Sequence, residues 1–124
     1  MAKRVLDVGN CGPDHRSITQ LLNAHFPGIE IAKADTAGQT LQMLREANYD
    51  LVLINRKLDI DYTDGIEILK QLKADTDLAE IPVMLITNYE EHQQAAVEAG
   101  ALLGFGKLEF QSSATKAKLE AVLA

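Results

Sequence analysis

Short apolar runs alternate five times with stretches whose apolar residues recur at helical spacing, and this alternation constrains the chain more than any other feature. The apolar runs are Arg4 to Val8 (RVLDV), Ile29 to Ala34, Leu51 to Asn55 (LVLIN), Pro82 to Thr87 (PVMLIT) and Leu102 to Gly106, the last diluted by glycine. Between and after them lie five amphipathic stretches with start and stop signals. Pro13-Asp14 open the first, whose face is Ile18, Leu21, Leu22 and Phe26, and Pro27-Gly28 stop it. Asp35 or Thr36 caps the second, with Leu41, Leu44 and Ala47 inward. Asp64 caps the third, with Ile66, Leu69 and Leu72 inward, and Asn88 is placed to cap Glu90 to Ala99 ahead of Gly100. Ser112 or Ser113 caps the last, through Leu119, Val122 and Leu123.

Linkers this short between strand and helix signals predict one domain over residues 1–124, an α/β three-layer sandwich of five βα units. Right-handed crossovers make the sheet parallel, and the flavodoxin-like strand order 2-1-3-4-5 is expected. That order gathers Gly9-Asn10, Asn55 and Thr87 around one crevice at the carboxyl ends of the strands, with Lys107 reaching it from the fifth. The third run ends in an amide, Asn55, where an aspartate would be a nucleophile or a metal ligand. A net charge of -6 argues against nucleic acid or an anionic membrane as partner. No apolar run spans a bilayer and no signal peptide is evident, so a cytoplasmic protein is expected. The single Cys11 excludes a disulfide within the chain and a cysteine zinc site.

The order and spacing of RVLDVGN, YDLVLIN, DGIEILKQLK, IPVMLIT, EAGA and GKLEF make the chain similar, along nearly its whole length, to the CheY-like receiver domain of two-component response regulators. In that family an acid pair after the first strand holds Mg²⁺, an aspartate ending the third takes a phosphoryl group, and a hydroxyl and a lysine end the fourth and fifth. The resemblance places the acid pair on Gly9 and Asn10 and the phosphoacceptor on Asn55, while Thr87 and Lys107 keep the hydroxyl and the amine. The aromatic switch position falls on Gly104, with Phe105 beside it, the proline after the lysine is Leu108, and the loop before Asp64-Gly65 is longer than usual. The resemblance therefore implies a divergent pseudo-receiver that lacks the phosphoacceptor aspartate, needs no metal or cofactor, and is not an enzyme.

Such a module acts by contact with a protein partner of a signalling pathway, a second copy of itself included. The face expected to do so carries Tyr89, His92, Ala96, Leu102, Leu103 and Phe105 beside Lys107. The alternative is a small-anion or small-ligand sensor, because loss of the acids leaves Lys107 dominant in the pocket unless Asp14, Asp59 or Asp61 neutralises it. The blander alternative is that Gly9, Asn10 and Asn55 are turn residues and Thr87 a cap. Asp7 interrupts a central strand and needs a partner or a proton, with Lys33 or a helix-borne hydroxyl or amine as candidates. His15 is expected in solvent and Cys11 as a small buried hydrophobe.

Overall fold

The computed structural model describes residues 3–124. Five strands, β1 (Arg4–Val8), β2 (Glu30–Ala34), β3 (Leu51–Asn55), β4 (Val83–Ile86) and β5 (Leu102–Phe105), form one sheet in the order β2-β1-β3-β4-β5. All four pairings are parallel. The helices are α1 (Gly12–His25), α2 (Ala37–Glu46), α3 (Gly65–Ala74), α4 (Glu90–Glu98) and α5 (Ser113–Leu123), with one 3₁₀ turn at Lys107–Glu109. The architecture is the flavodoxin-like arrangement that the alternating runs predict.

Strand alternation splits the core in two. Leu6, Val8, Val52, Ile54, Val83 and Leu85 pack with Leu44, Ile68, Leu69, Leu72 and Ala96, residues of α2, α3 and α4. Val5, Leu51, Leu53, Met84, Ile86 and Phe105 pack with Ile18, Leu21, Leu22, Leu119 and Leu123, residues of α1 and α5. Both faces of β1, β3 and β4 are therefore dry, and each fully buried leucine or isoleucine contributes about 1.5–3 kcal/mol.

The caps follow the sequence at three helices. Thr36 accepts from the Gln39 N–H, Asp64 from Ile66 and Ser112 from Ala114. Gly100, at φ +110°, ends α4 in the left-handed conformation that glycine adopts without cost. Asn88 does not cap α4. The N-cap is Tyr89, and the Asn88 Oδ1 instead accepts from the Leu108 N–H, holding the turn that follows β5.

Two residues expected on the exposed face are interior. Ala96 is fully buried with Gln93 on the inner side of α4, and Phe105 is 1% exposed against Phe110. The cause at Phe105 is a bulge. The step from Met84 to Ile86 in β4 faces the longer step from Leu102 to Phe105 in β5. One added residue reverses which side the following side chains take, so Phe105 turns into the α1/α5 core.

Gly65 opens α3 directly against β3, and a Cβ there would lie 2.2 Å from the Asn55 carbonyl oxygen. Gly38 in α2 faces open space. Gly65→Ala is expected to lower the unfolding free energy by about 1–3 kcal/mol. Gly38→Ala is expected to raise it by about 0.5 kcal/mol. Urea unfolding of both variants checks the contrast, and equal effects would contradict it.

Candidate functional site

The carboxyl ends of β1, β3, β4 and β5 converge as the strand order requires, but the residues expected in one crevice divide into two groups. Asn55, Thr87 and Lys107 line a shallow cavity of about 190 Å³, together with Arg56, Lys57, Ile86, Asn88 and Tyr89. Gly9 and Asn10 do not reach it. Gly9 adopts φ +78°, its N–H donates to the Ala34 carbonyl, and its carbonyl accepts from the Asp59 N–H at 2.8 Å and from Asn55 Nδ2 at 3.3 Å. A Cβ at this position would fall 2.4 Å from the Leu58 Cγ. Leu58 is fully buried, and it seals the β1 turn from above. Asn10, 1% exposed, turns down into the protein.

The loop Arg56 to Asp64 that carries Leu58 is closed by its own backbone. Lys57 and Asp64 form an antiparallel bridge, Leu58 donates to the Thr63 carbonyl and Tyr62 to the Leu58 carbonyl. Thr63 N–H donates to Asp61 Oδ1.

Below the turn, Asp7 is wholly buried. Asn10 Nδ2 donates to Asp7 Oδ1 at 2.5 Å, and His15 Nδ1 lies 2.6 Å from Asp7 Oδ2. With Asp7 ionised, its oxygens only accept, so the facing ring nitrogen of His15 carries the proton. The partner is therefore an imidazole from the first turns of α1. Lys33, across from Asp7 in the β1–β2 register, pairs instead with Asp35. His15, expected in solvent, is partly buried because Asp7 draws it down. Burial pushes the Asp7 carboxyl above its ordinary value, and the hydrogen bonds from His15 and Asn10, with the charges of His15 and Lys33, counter this only in part.

Lys107 does not meet Asn55. Its Nζ donates to Asp14 Oδ2 at 2.6 Å, across from α1. Cys11, half-buried, donates its thiol to the same oxygen at 3.3 Å. Burial works to raise the Asp14 carboxyl, but the hydrogen bonds from Lys107 and Cys11 and the Lys107 charge outweigh it, so its pKa is lowered. Of the three acids near the crevice, Asp14 is the one that neutralises the lysine. Arg56 and Lys57 add positive charge to the cavity wall, and no carboxylate lines it.

Thr87 acts as a local cap. Its Oγ1 accepts from the Tyr89 N–H at 3.2 Å, at the entry to α4. The carbonyl of Thr87 and that of Leu85 both accept from the side-chain amide of Gln93. Gln93 is a structural residue that no sequence signal marks, since one of two adjacent glutamines in a polar helix looks like any surface position.

Mg²⁺ does not fit the residues present. It needs hard anionic oxygens to offset its dehydration, and Gly9, Asn10 and Asn55 offer only amide and carbonyl groups. The carboxylate of Asp7 is closed off by Asn10 and His15. Among the described residues no group of three or more His, Cys, Asp or Glu side chains gathers to hold a metal.

Comparison with known proteins agrees with the fold. Residues 13–108 match the response regulator receiver domain, and the chain belongs to that family. It is 37% identical over 98 residues to sporulation initiation phosphotransferase F of Bacillus subtilis, covering 76% of each chain. It is 29% identical over 92 residues to chemotaxis protein CheY-3 of Vibrio cholerae, covering 73% of this chain and 68% of that protein. Against the transcriptional regulatory protein ZraR of Klebsiella oxytoca it is 36% identical over 107 residues, but it spans only 23% of that protein's length. Among solved structures, chemotaxis protein CheY4 of Vibrio cholerae superposes with a TM-score of 0.77 at 19% identity, over 99% of this chain and 100% of that one. NtrX of Brucella abortus superposes with a TM-score of 0.80 at 24% identity, over 99% of this chain and 27% of that one.

The raised pKa of Asp7 has a signed consequence for stability. A carboxyl whose folded value lies above its unfolded one contributes stability below the unfolded value, and that contribution is lost as pH rises through the folded value. Asp7→Asn removes the titration. The unfolding free energy of Asp7→Asn relative to the native chain is therefore expected to rise from pH 4 to pH 7. Urea unfolding across that range checks it, and parallel profiles would contradict it.

Proposed function

We propose that residues 1–124 form a single receiver domain that signals by protein–protein contact without aspartyl phosphorylation. The domain's role in two-component signal transduction follows from its family. The absence of phosphorylation is the finer reading, and one observation carries it. Gly9, Asn10, Asn55, Thr87 and Lys107 bring no carboxylate to the site, and the β1 turn has no room to regain one. Gly9 combines φ +78° with Leu58 at contact distance, so a side chain there is opposed by both backbone and packing. Asn55 offers an amide whose nitrogen is already engaged with the Gly9 carbonyl. Lys107, the cation that would face a phosphoryl group, is held by Asp14.

The partner-reading surface of this proposal is the exposed apolar set on α4, its entry and β5. Tyr89 is 59% exposed and Leu103 52%, Leu102 and Val97 are exposed as well, and Val97 and Leu103 line one groove. The ring of His92 packs edge-on to Tyr89 and extends the patch. Grouped exposure of this kind on a small domain marks a contact surface. Its partner is a signalling protein or a second copy of the chain, in the cytoplasm. Among the described residues no helix is long and apolar enough to cross a membrane.

The test is incubation with Mg²⁺ and a small phosphoryl donor, followed by mass measurement of the intact chain. The expected result is no added phosphoryl group. Asn55→Asp alone is expected to leave no more than about a tenth of the chain labelled, since position 9 still lacks an acid. A base-labile adduct on an aspartyl side chain of the native protein would overturn the reading.

A further inference from the structure

Helix α4 is poorly anchored by apolar contact. Its sequence, EEHQQAAVE, buries only Gln93 and Ala96, and its largest aliphatic residue, Val97, points outward at 43% exposure. A helix that presents a contact surface has to be held by something else.

The bulge between β4 and β5 supplies the attachment point. Between the pairs Met84–Leu102 and Ile86–Phe105 the register shifts, so the backbone of Leu85 and Gly104 lies at an irregular point of the ladder. The Gln93 amide reaches this point from α4. Its Nε2 donates to the Leu85 carbonyl at 2.9 Å and to the Thr87 carbonyl at 3.3 Å, and its Oε1 accepts from the Gly104 N–H at 2.9 Å. A primary amide carries a donor and an acceptor side by side, as a peptide group does, so it can bond to both strands at once. Position 104 is glycine because the strands close in at the bulge, where a Cβ would sit 2.2 Å from the Leu85 oxygen. Lys118 of α5 donates to the Gly104 carbonyl at 2.9 Å, so α4, β4, β5 and α5 meet at this one residue. Gln93 itself is 7% exposed, and losing its amide would leave buried backbone groups unpaired.

From this geometry we infer that Gln93 is a positioning residue, the pin that holds α4 and its apolar patch in a single orientation against the sheet. The surface of Tyr89, Val97, Leu102 and Leu103 is thereby presented in one fixed state. The inference goes beyond the proposed function, because the pin stands whether or not the chain accepts a phosphoryl group.

Amide hydrogen exchange and relaxation dispersion on the whole chain test it. In the native protein, α4 is expected to show flat dispersion profiles and Gly104 a slowly exchanging N–H. In Gln93→Ala the Gly104 N–H is expected to exchange about tenfold faster, the loss of roughly one buried hydrogen bond. Residues 89–98 should broaden while β1 and β3 keep their protection. Gln93→Glu isolates the donor role. Its carboxylate cannot donate, so α4 should broaden at neutral pH and sharpen when the acid is protonated at low pH. Glu90, Glu109 and Lys118 line the adjoining cavity, so the native chain is titrated alongside. Unchanged Gly104 exchange with flat profiles in Gln93→Ala overturns the inference, as does protection lost evenly across β1 and β3. Dispersion along α4 in the native protein also overturns it. If Gln93→Ala does not fold, a Gln93→Glu profile that ignores pH overturns it.

Discussion

A parallel sheet covered on both faces leaves polar side chains one place to act, the carboxyl ends of its strands, and everything distinctive about this protein follows from what occupies those ends. The strands themselves are dry, so the turns after β1, β3, β4 and β5 have to satisfy their own backbone and set the local charge. Here they do so by mutual contact. Asn55 ties to Gly9, Leu58 closes over the same glycine, Lys107 crosses to Asp14 and Asn88 steadies the turn after β5. Side chains committed to one another in this way leave few groups at the strand ends free for a reacting ligand.

Among the described residues Asp7 is the buried carboxylate, and the arrangement around it shows how one buried acid shapes its neighbourhood. Isolated, it would be costly. Asn10 and His15 supply the donors, and in doing so they draw the β1 turn and the first turns of α1 downward. That pull is why Asn10 is absent from the cavity wall. The inward turn of Asn10 and the bond of the Lys107 amine to α1 both trace to carboxylates of the first βα unit, Asp7 and Asp14.

The strands and helices were legible because each advertises a period and a cap: LVLIN could only be a buried strand, and Thr36, Asp64 and Ser112 each accept the bond that their position implied. The site was legible as a set of positions, since the strand order alone brings Asn55, Thr87 and Lys107 together. Its bonds were not. That His15 would find Asp7, or Lys107 find Asp14, depends on how α1 docks, and no local pattern encodes it. That Ala96 lies inside depends likewise on how α4 docks, and that Phe105 does depends on the bulge in β5. A bulge changes strand parity by one residue, and the only trace of it in LLGF is a glycine, which strands also carry at bends and at close backbone approaches.

The same bulge bears on what this domain avoids. Strand β5 lies at the margin of the sheet and begins with two adjacent exposed leucines, the kind of edge on which another chain could add a strand and seed aggregation. A regular margin would offer an unbroken row of free amides and carbonyls for that purpose. The extra residue throws the row out of step, and the Lys118 side chain occupies the Gly104 carbonyl. The leucine side chains stay exposed, while the margin that carries them is broken by the bulge that follows.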